Sequence, residues 1–303
     1  MRLLVNAVSN IQISKITGLL RYKILKNSFY ELNKRNIKYA VIKGEPLSYY
    51  IYSCLGMRLS RDIDILVPKE SIDEVRKVFF DNNNIIDMYG RKEWLYYMLC
   101  SHQCPALFIK EQGFTVELDI NFDILWGNYE KRKIDINDFL SDTVEMDIYG
   151  VKIKTLSKIK TFLQVCLHCY KDLNSILLIQ KRKKFDKNMF RDIYHMLRNN
   201  QNELTIDMVY NESIKYGIDE YIYYVLYYTE KIYLDPILKK YINALYSKEN
   251  ERILDTYGLT ERERKKWKIS FVDRLESEDL FSVIEKDLNE SDMKNIKFNS
   301  RYF

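Results

Sequence analysis

Across residues 12–36 apolar side chains recur at helical spacing, with Ile16, Leu19, Leu20, Tyr22, Ile24, Leu25, Phe29 and Leu32 on one side. Lys, Arg and Asn close the segment, so it predicts an amphipathic helix. The period then changes. Residues 38–43 form a short apolar run that predicts a strand, and Gly44 precedes a helix over 46–54, because Pro46 is tolerated in a first turn. Residues 62–67 read as a second strand stopped by Pro68, and helical spacing returns over 71–82 before the polar run Asp81-Asn82-Asn83-Asn84. Residues 106–109 and 114–120, joined by Glu111-Gln112-Gly113, predict a hairpin, as do 144–148 and 151–153 around Tyr149-Gly150. From Leu156 onward the pattern is helical, with segments at 156–179, 186–199, 204–216, 219–247 and 261–288, no further strand, and no clear pattern over 295–303. The expected fold is α/β (α+β): a small mixed sheet with flanking helices over residues 1–155, then an all-α domain over 156–303.

Composition narrows the class without naming the chemistry. At 303 residues, 47% hydrophobic and 30% charged, the chain can bury a sizeable core. Lys and Arg total 48 against 43 Asp and Glu, a mild positive excess that suits anionic ligands such as nucleotides. No window approaches the ~20 apolar residues of a membrane span, and the opening lacks a signal-peptide core, so a cytoplasmic protein with no membrane partner is expected. Five cysteines, an odd number, suit free thiols in a reducing compartment. Cys100-Ser101-His102-Gln103-Cys104 and Cys166-Leu167-His168-Cys169 lack paired-knuckle spacing, so no zinc is expected.

The informative chemistry is Asp62-Ile63-Asp64. Side chains alternate along a strand, so these carboxylates share one face, and neighbouring carboxylates repel unless a cation lies between them or one takes a proton. The pair is a metal clamp or a proton-sharing dyad, and oxygen-only ligands favour Mg²⁺ or Mn²⁺. By the same alternation Glu117 and Asp119 share a face of their own strand and could supply a third carboxylate. His168 reads as a core histidine, the basic run Lys181-Arg182-Lys183-Lys184 as a solvated loop, and the tyrosines of 219–234 as packing.

An apolar strand into Lys43-Gly44, Leu47 in a short helix, then Gly56, Arg58, Asp62 and Asp64 followed by Ile65-Leu66-Val67 resembles a bacterial nucleotidyltransferase family of the DNA polymerase β-like superfamily. His102, Glu117-Leu118, His168 and Asp192 stand where that family's later motif falls, so the resemblance covers roughly residues 38–200. Two departures stand out. Glu45 follows Gly44 where the superfamily usually has a phosphate-contacting serine, and Asp119 stands where the narrower family often has histidine.

The resemblance implies transfer of a nucleoside monophosphate from an NTP co-substrate to an acceptor, with release of pyrophosphate. It implies Asp62, Asp64 and Glu117 as catalytic metal ligands, with Asp119 the alternative third carboxylate. It further implies nucleotide contacts from Lys43, Gly44 at a helix N-terminus, Arg58, Arg61, Asp119 and His102, with Lys171 and Arg191 reaching in from the helical half, which completes the nucleotide and acceptor cleft. The acceptor is left open among a small molecule, a peptide or protein, and a tRNA end. Two other readings stay open. The departures would suit a nucleotide-binding regulator without turnover, and the basic run and net charge would suit an RNA-directed toxin.

Overall fold

The computed structural model describes residues 2–86, 90–126 and 134–300, with side chains from residue 10 onward. These form two compact units, the chain passing from one to the other between Thr161 and Phe162. The first comprises α1 (Arg2–Lys34), β1 (Ala40–Val41), α2 (Glu45–Tyr52), β2 (Asp62–Leu66), α3 (Ile72–Asn82), β3 (Ile85–Ile86), α4 (Arg91–Cys100), β4 (Leu107–Glu111), β5 (Phe114–Asn121), α5 (Ile136–Phe139), β6 (Val144–Ile148) and β7 (Val151–Thr155). After α6 (Lys158–Asn174) come α7 (Ile176–Arg182), α8 (Lys187–Asn199), α9 (Ile206–Lys215), α10 (Asp219–Tyr233), α11 (Pro236–Leu245), α12 (Lys248–Glu251), β8 (Thr256–Tyr257), β9 (Lys265–Lys266), α13 (Phe271–Glu276), α14 (Leu280–Ile284) and α15 (Glu290–Asn299).

Among the described residues the first unit holds a seven-stranded mixed sheet in the order β3-β4-β5-β2-β1-β7-β6. β2 runs parallel to β5 and β1 to β7, while the other neighbours are antiparallel. Both predicted hairpins form. Their central pairs, Gln112-Gly113 and Tyr149-Gly150, all have positive φ, the geometry whose twist matches paired strands. Alternation then sorts the central strands. Ile63, Ile65 and Val67 of the β2 segment and Val116, Leu118 and Ile120 of β5 pack in one core with Tyr22, Leu25, Phe29 and Leu32 of α1 and Val75, Val78 and Phe79 of α3. The intervening polar residues are left to the opposite face.

Three expectations change. The α1 helix begins at Arg2, and only its C-terminal half covers the sheet: Ile16, Leu19 and Leu20 are exposed, while Ser14, Gly18 and Arg21 face α2 and the loop before β2. A Cβ at Gly18 would lie 2.2 Å from Glu45 Oε1, so the bare backbone is what admits Glu45 there. In the second unit the long helical stretches are cut by caps at Ser175, Asp235, Ser270 and Asp279, and Pro236 begins a new helix at the break in 219–247. The β8–β9 ribbon lies where no strand was expected, and α15 occupies the stretch whose last residues showed no pattern.

Asp235 shows what such a cap is worth. Its carboxylate accepts from Ile237 N at 3.0 Å and Tyr194 Oη at 2.9 Å, and the Ile237 amide, with Tyr194 and Arg198, holds its pKa below the ordinary Asp value. A depressed carboxylate stabilises the fold above its unfolded pKa and loses that contribution as pH falls through the folded one. Asp235→Ala should therefore cost about 1–2 kcal/mol at pH 7 in urea unfolding, the cost shrinking below about pH 4.

Candidate active site

The parallel register of β2 and β5 sets Asp62 beside Glu117 and Asp64 beside Asp119. Adjacent strands lie about 4.8 Å apart and like side chains point the same way, so four carboxylates form a compact group on the face opposite the core. Asp64 is the most enclosed, at 2% exposure, and Lys43 Nζ donates to its Oδ1 at 3.0 Å. Asn121, one alternation beyond Asp119, places Nδ2 3.4 Å from the same oxygen.

Two buried oxygens of the group lack partners. Asp64 Oδ2 and Asp119 Oδ1 are buried without a hydrogen bond. Burial, then the charges of Asp64, Asp62 and Glu117, raise Asp119 to about 7 against the pull of Lys43. Glu117 is raised too, by desolvation first and then by Asp62 and Asp64. Such an arrangement destabilises the fold unless protons or a cation offset it. Among the described residues no three Asp, Glu, His or Cys side chains already converge as a metal cage. The donor set nonetheless fits a hard divalent ion: all-oxygen, like-charged, with orphaned buried oxygens on two fixed strands.

Gly44 caps α2 with φ 67°, a conformation that favours glycine, and its carbonyl receives the Ser48 amide. The serine absent after Gly44 has a neighbour of the same chemistry, for Ser60 Oγ lies 3.6 Å from where a Cβ on Gly44 would stand. Glu45 turns inward instead, is 6% exposed, and accepts from Gly56 N at 2.6 Å and Tyr149 Oη at 3.3 Å. Arg58 and Arg61 sit in the loop leading into β2, Arg58 half-buried and Arg61 exposed. His102 lies beyond the acidic group along the strand, its carbonyl accepting from Phe122 N at 2.9 Å and Asp123 N at 3.1 Å.

His168, Lys171, Arg191 and Asp192 belong to the second unit, where His168 Nε2 is 3.5 Å from Asp172 Oδ2 and Arg191 is 3.6 Å from Asp192. In the basic run Arg182 pairs with Asp172, Lys183 with Asp279 and Lys184 with Glu278, all three basic side chains staying exposed. Sequence reasoning missed Asn121 and Ser60. Asn121 was within reach, since it continues the alternation of Glu117 and Asp119, whereas Ser60 is identified only by the fold of its loop.

The profile of a family described as "Uncharacterised nucleotidyltransferase" matches residues 11–233. The chain belongs to this nucleotidyltransferase family. No curated protein matches the chain. Among solved structures, an antigenic nucleotidyltransferase-like protein from Paracoccidioides brasiliensis is 17% identical with a TM-score of 0.40, over 76% of this chain and 92% of that one. ANT(2″)-Ia in complex with adenylyl-2″-tobramycin is 11% identical with a TM-score of 0.39, over 65% of this chain and 99% of that one. The protein is thus a transferase of the nucleotidyl class that the sequence resemblance implied.

A carboxylate whose pKa is raised supports the fold while protonated and loses that support as pH rises through the folded value, here about 7. Asp119→Asn, which stays neutral, should therefore melt higher than the wild type at pH 8 without divalent ions. The gain should shrink as pH falls through about 7 and vanish only below about pH 4, the ordinary Asp value, where the wild-type group is protonated in both the folded and the unfolded chain. A scan of melting temperature against pH in EDTA reads both arms.

Proposed function

We propose that the nucleotidyltransferase uses Mg²⁺ or Mn²⁺ to move a nucleoside monophosphate from an NTP to an acceptor hydroxyl, releasing pyrophosphate. The observation that carries this reading is the group of four carboxylates brought together by β2 and β5 around one lysine. Divalent ions held there would offset the charge developing on the transferring phosphoryl group and its leaving oxygen. Asp62 and Asp64 are the ligands from β2. We assign the third position to Asp119 ahead of Glu117, because Asp119 is deeper, lies in register with Asp64 and has an oxygen without a partner. Glu117 is in register with Asp62.

Each remaining group has a defined task. Gly44 leaves room for phosphate oxygens at the N-terminus of α2, whose amide dipoles favour negative charge. Arg58 supplies a guanidinium fork to the β- and γ-phosphates, with Arg61 beside it. Lys43 holds Asp64 and balances the group before substrate enters. In the transfer the acceptor oxygen bonds to the α-phosphorus, the bond from that phosphorus to the bridging α–β oxygen breaks, and pyrophosphate departs. The acceptor's proton passes to a carboxylate of the group, for which a pKa near the working pH is suited.

The acceptor is a hydroxyl of a small molecule, a protein or a tRNA end. An RNA-directed activity would use residues 181–184 in competition with the chain's own carboxylates, which pair with Arg182, Lys183 and Lys184. Incubation with each α-³²P-labelled NTP, Mg²⁺ and a cell extract should transfer label to a discrete product and release pyrophosphate. Asp62→Asn and Asp64→Asn should each cut labelling at least about a hundredfold with an unchanged circular dichroism spectrum. Full activity in either variant would reject the metal assignment.

A further inference from the structure

Arg21 lies on α1, far in sequence from the acidic group, yet it ends at the loop that delivers Asp62. Its Nη1 donates to Ser60 O at 2.6 Å, and Ser60 Oγ in turn lies 2.9 Å from Asp62 O and 3.2 Å from Asp62 Oδ1. The carboxylate of Asp62 is the largest charge acting on Arg21, followed by that of Glu45. The rest of this loop is held in the same way. Gly56 N donates to Glu45 Oε2 at 2.6 Å, Met57 N to Ser48 Oγ at 3.0 Å, and Ser14 Oγ to Arg58 O at 3.3 Å. Residues 56–60 are therefore pinned by α1 on one side and by α2 on the other, and their last link is to Asp62 itself.

We infer that Arg21 is a positioning residue of the nucleotidyltransferase site, acting through Ser60 to fix the carboxylate of Asp62 for the divalent ion and the nucleotide. This rests on the metal role proposed for Asp62. The reason is geometric. Asp62 opens β2 and has fewer ladder bonds to restrain it than a residue inside the strand, so its rotamer depends on what holds the preceding loop. The Ser60 hydroxyl selects one orientation of Oδ1, and the Arg21 guanidinium keeps Ser60 where it can do so. It also explains why α1 turns Ser14 and Arg21 toward this loop while leaving Ile16 and Leu20 exposed.

The test is Mn²⁺ binding to the full chain, followed by the EPR signal of the free ion, with Asp64→Asn as the reference for a lost site. Arg21→Met and Ser60→Ala should each weaken Mn²⁺ binding by about tenfold, within the range seen when partners of metal ligands are removed. Arg21→Lys should recover part of the loss, and the Arg21→Met/Ser60→Ala double variant should be no weaker than either single, because both break one linkage. Wild-type affinity within twofold in both single variants would overturn the inference while leaving the metal site intact, and so would losses that multiply in the double variant. Ser60→Ala removes only one hydroxyl, so it tests the link even if Arg21→Met fails to fold. A wild type that binds no Mn²⁺ would instead bring down the metal reading, and this inference with it.

Discussion

One constraint organises the first unit: β2 and β5 are parallel and in register, so two alternating strands turn their apolar residues to the same core and their carboxylates to the same outer face. The core half of that bargain is ordinary packing. The outer half is unfavourable, since like charges directly opposite one another cost free energy, a cost that the Lys43 ammonium on Asp64 offsets in part. Such an arrangement survives because the buried Ile, Val and Leu positions offset it. Slipping the register by one residue to separate the carboxylates would expose the whole apolar set. The apolar core and the carboxylate group are therefore locked into one register.

The surrounding elements serve the same pair of strands. β1 inserts between β2 and β7, its Val41 opposite Ile65 on one side and Thr155 on the other, and this places Lys43 at the strand end beside Asp64. The turn at Gly44 and the short α2 helix then bring backbone amides up to the same edge. Glu45, which on sequence grounds looked like a lost phosphate contact, is recruited instead to fasten the Gly56 amide, and the hydroxyl near Gly44 comes from Ser60. The departure at Glu45 is thus part of a local rearrangement of who holds the loop.

Much of this was legible from local pattern. The hairpins followed from alternation broken at Gln112-Gly113 and Tyr149-Gly150, and the strand character of 62–67 followed from a run whose polar residues fall at every second position. Strand adjacency was not legible. Nothing in the period of β2 says that its neighbours are β1 and β5, because that choice is made by long-range packing against α1 and α3. The two-residue strand β3 was unmarked for a related reason: so short a run carries no period, whereas β1 fell inside the apolar run 38–43. In the second unit helical propensity was read correctly, but single capping residues, such as Asp235 before Pro236, cut apparently continuous helices.

The missed polar residues share a physical cause. Ser60 and Arg21 reach the carboxylate of Asp62 through a loop, by contacts that no spacing rule encodes, whereas Asn121 continues the alternation of Glu117 and Asp119 and only its partner on β2 was hidden. Amphipathic reasoning assigned Ile16, Leu19 and Leu20 of α1 to the core, on the assumption that a helix buries its most apolar stripe. The structure shows that a helix can serve two neighbours along its length: Tyr22, Leu25, Phe29 and Leu32 cover the sheet, while Gly18 faces Glu45 of α2 and Ser14 and Arg21 face a polar loop. Where a loop must be held by hydrogen bonds to present a charged group, the facing helix needs small and polar residues. A break in the apolar stripe is then evidence of work at that surface, and it points to the same carboxylates from the opposite end of the chain.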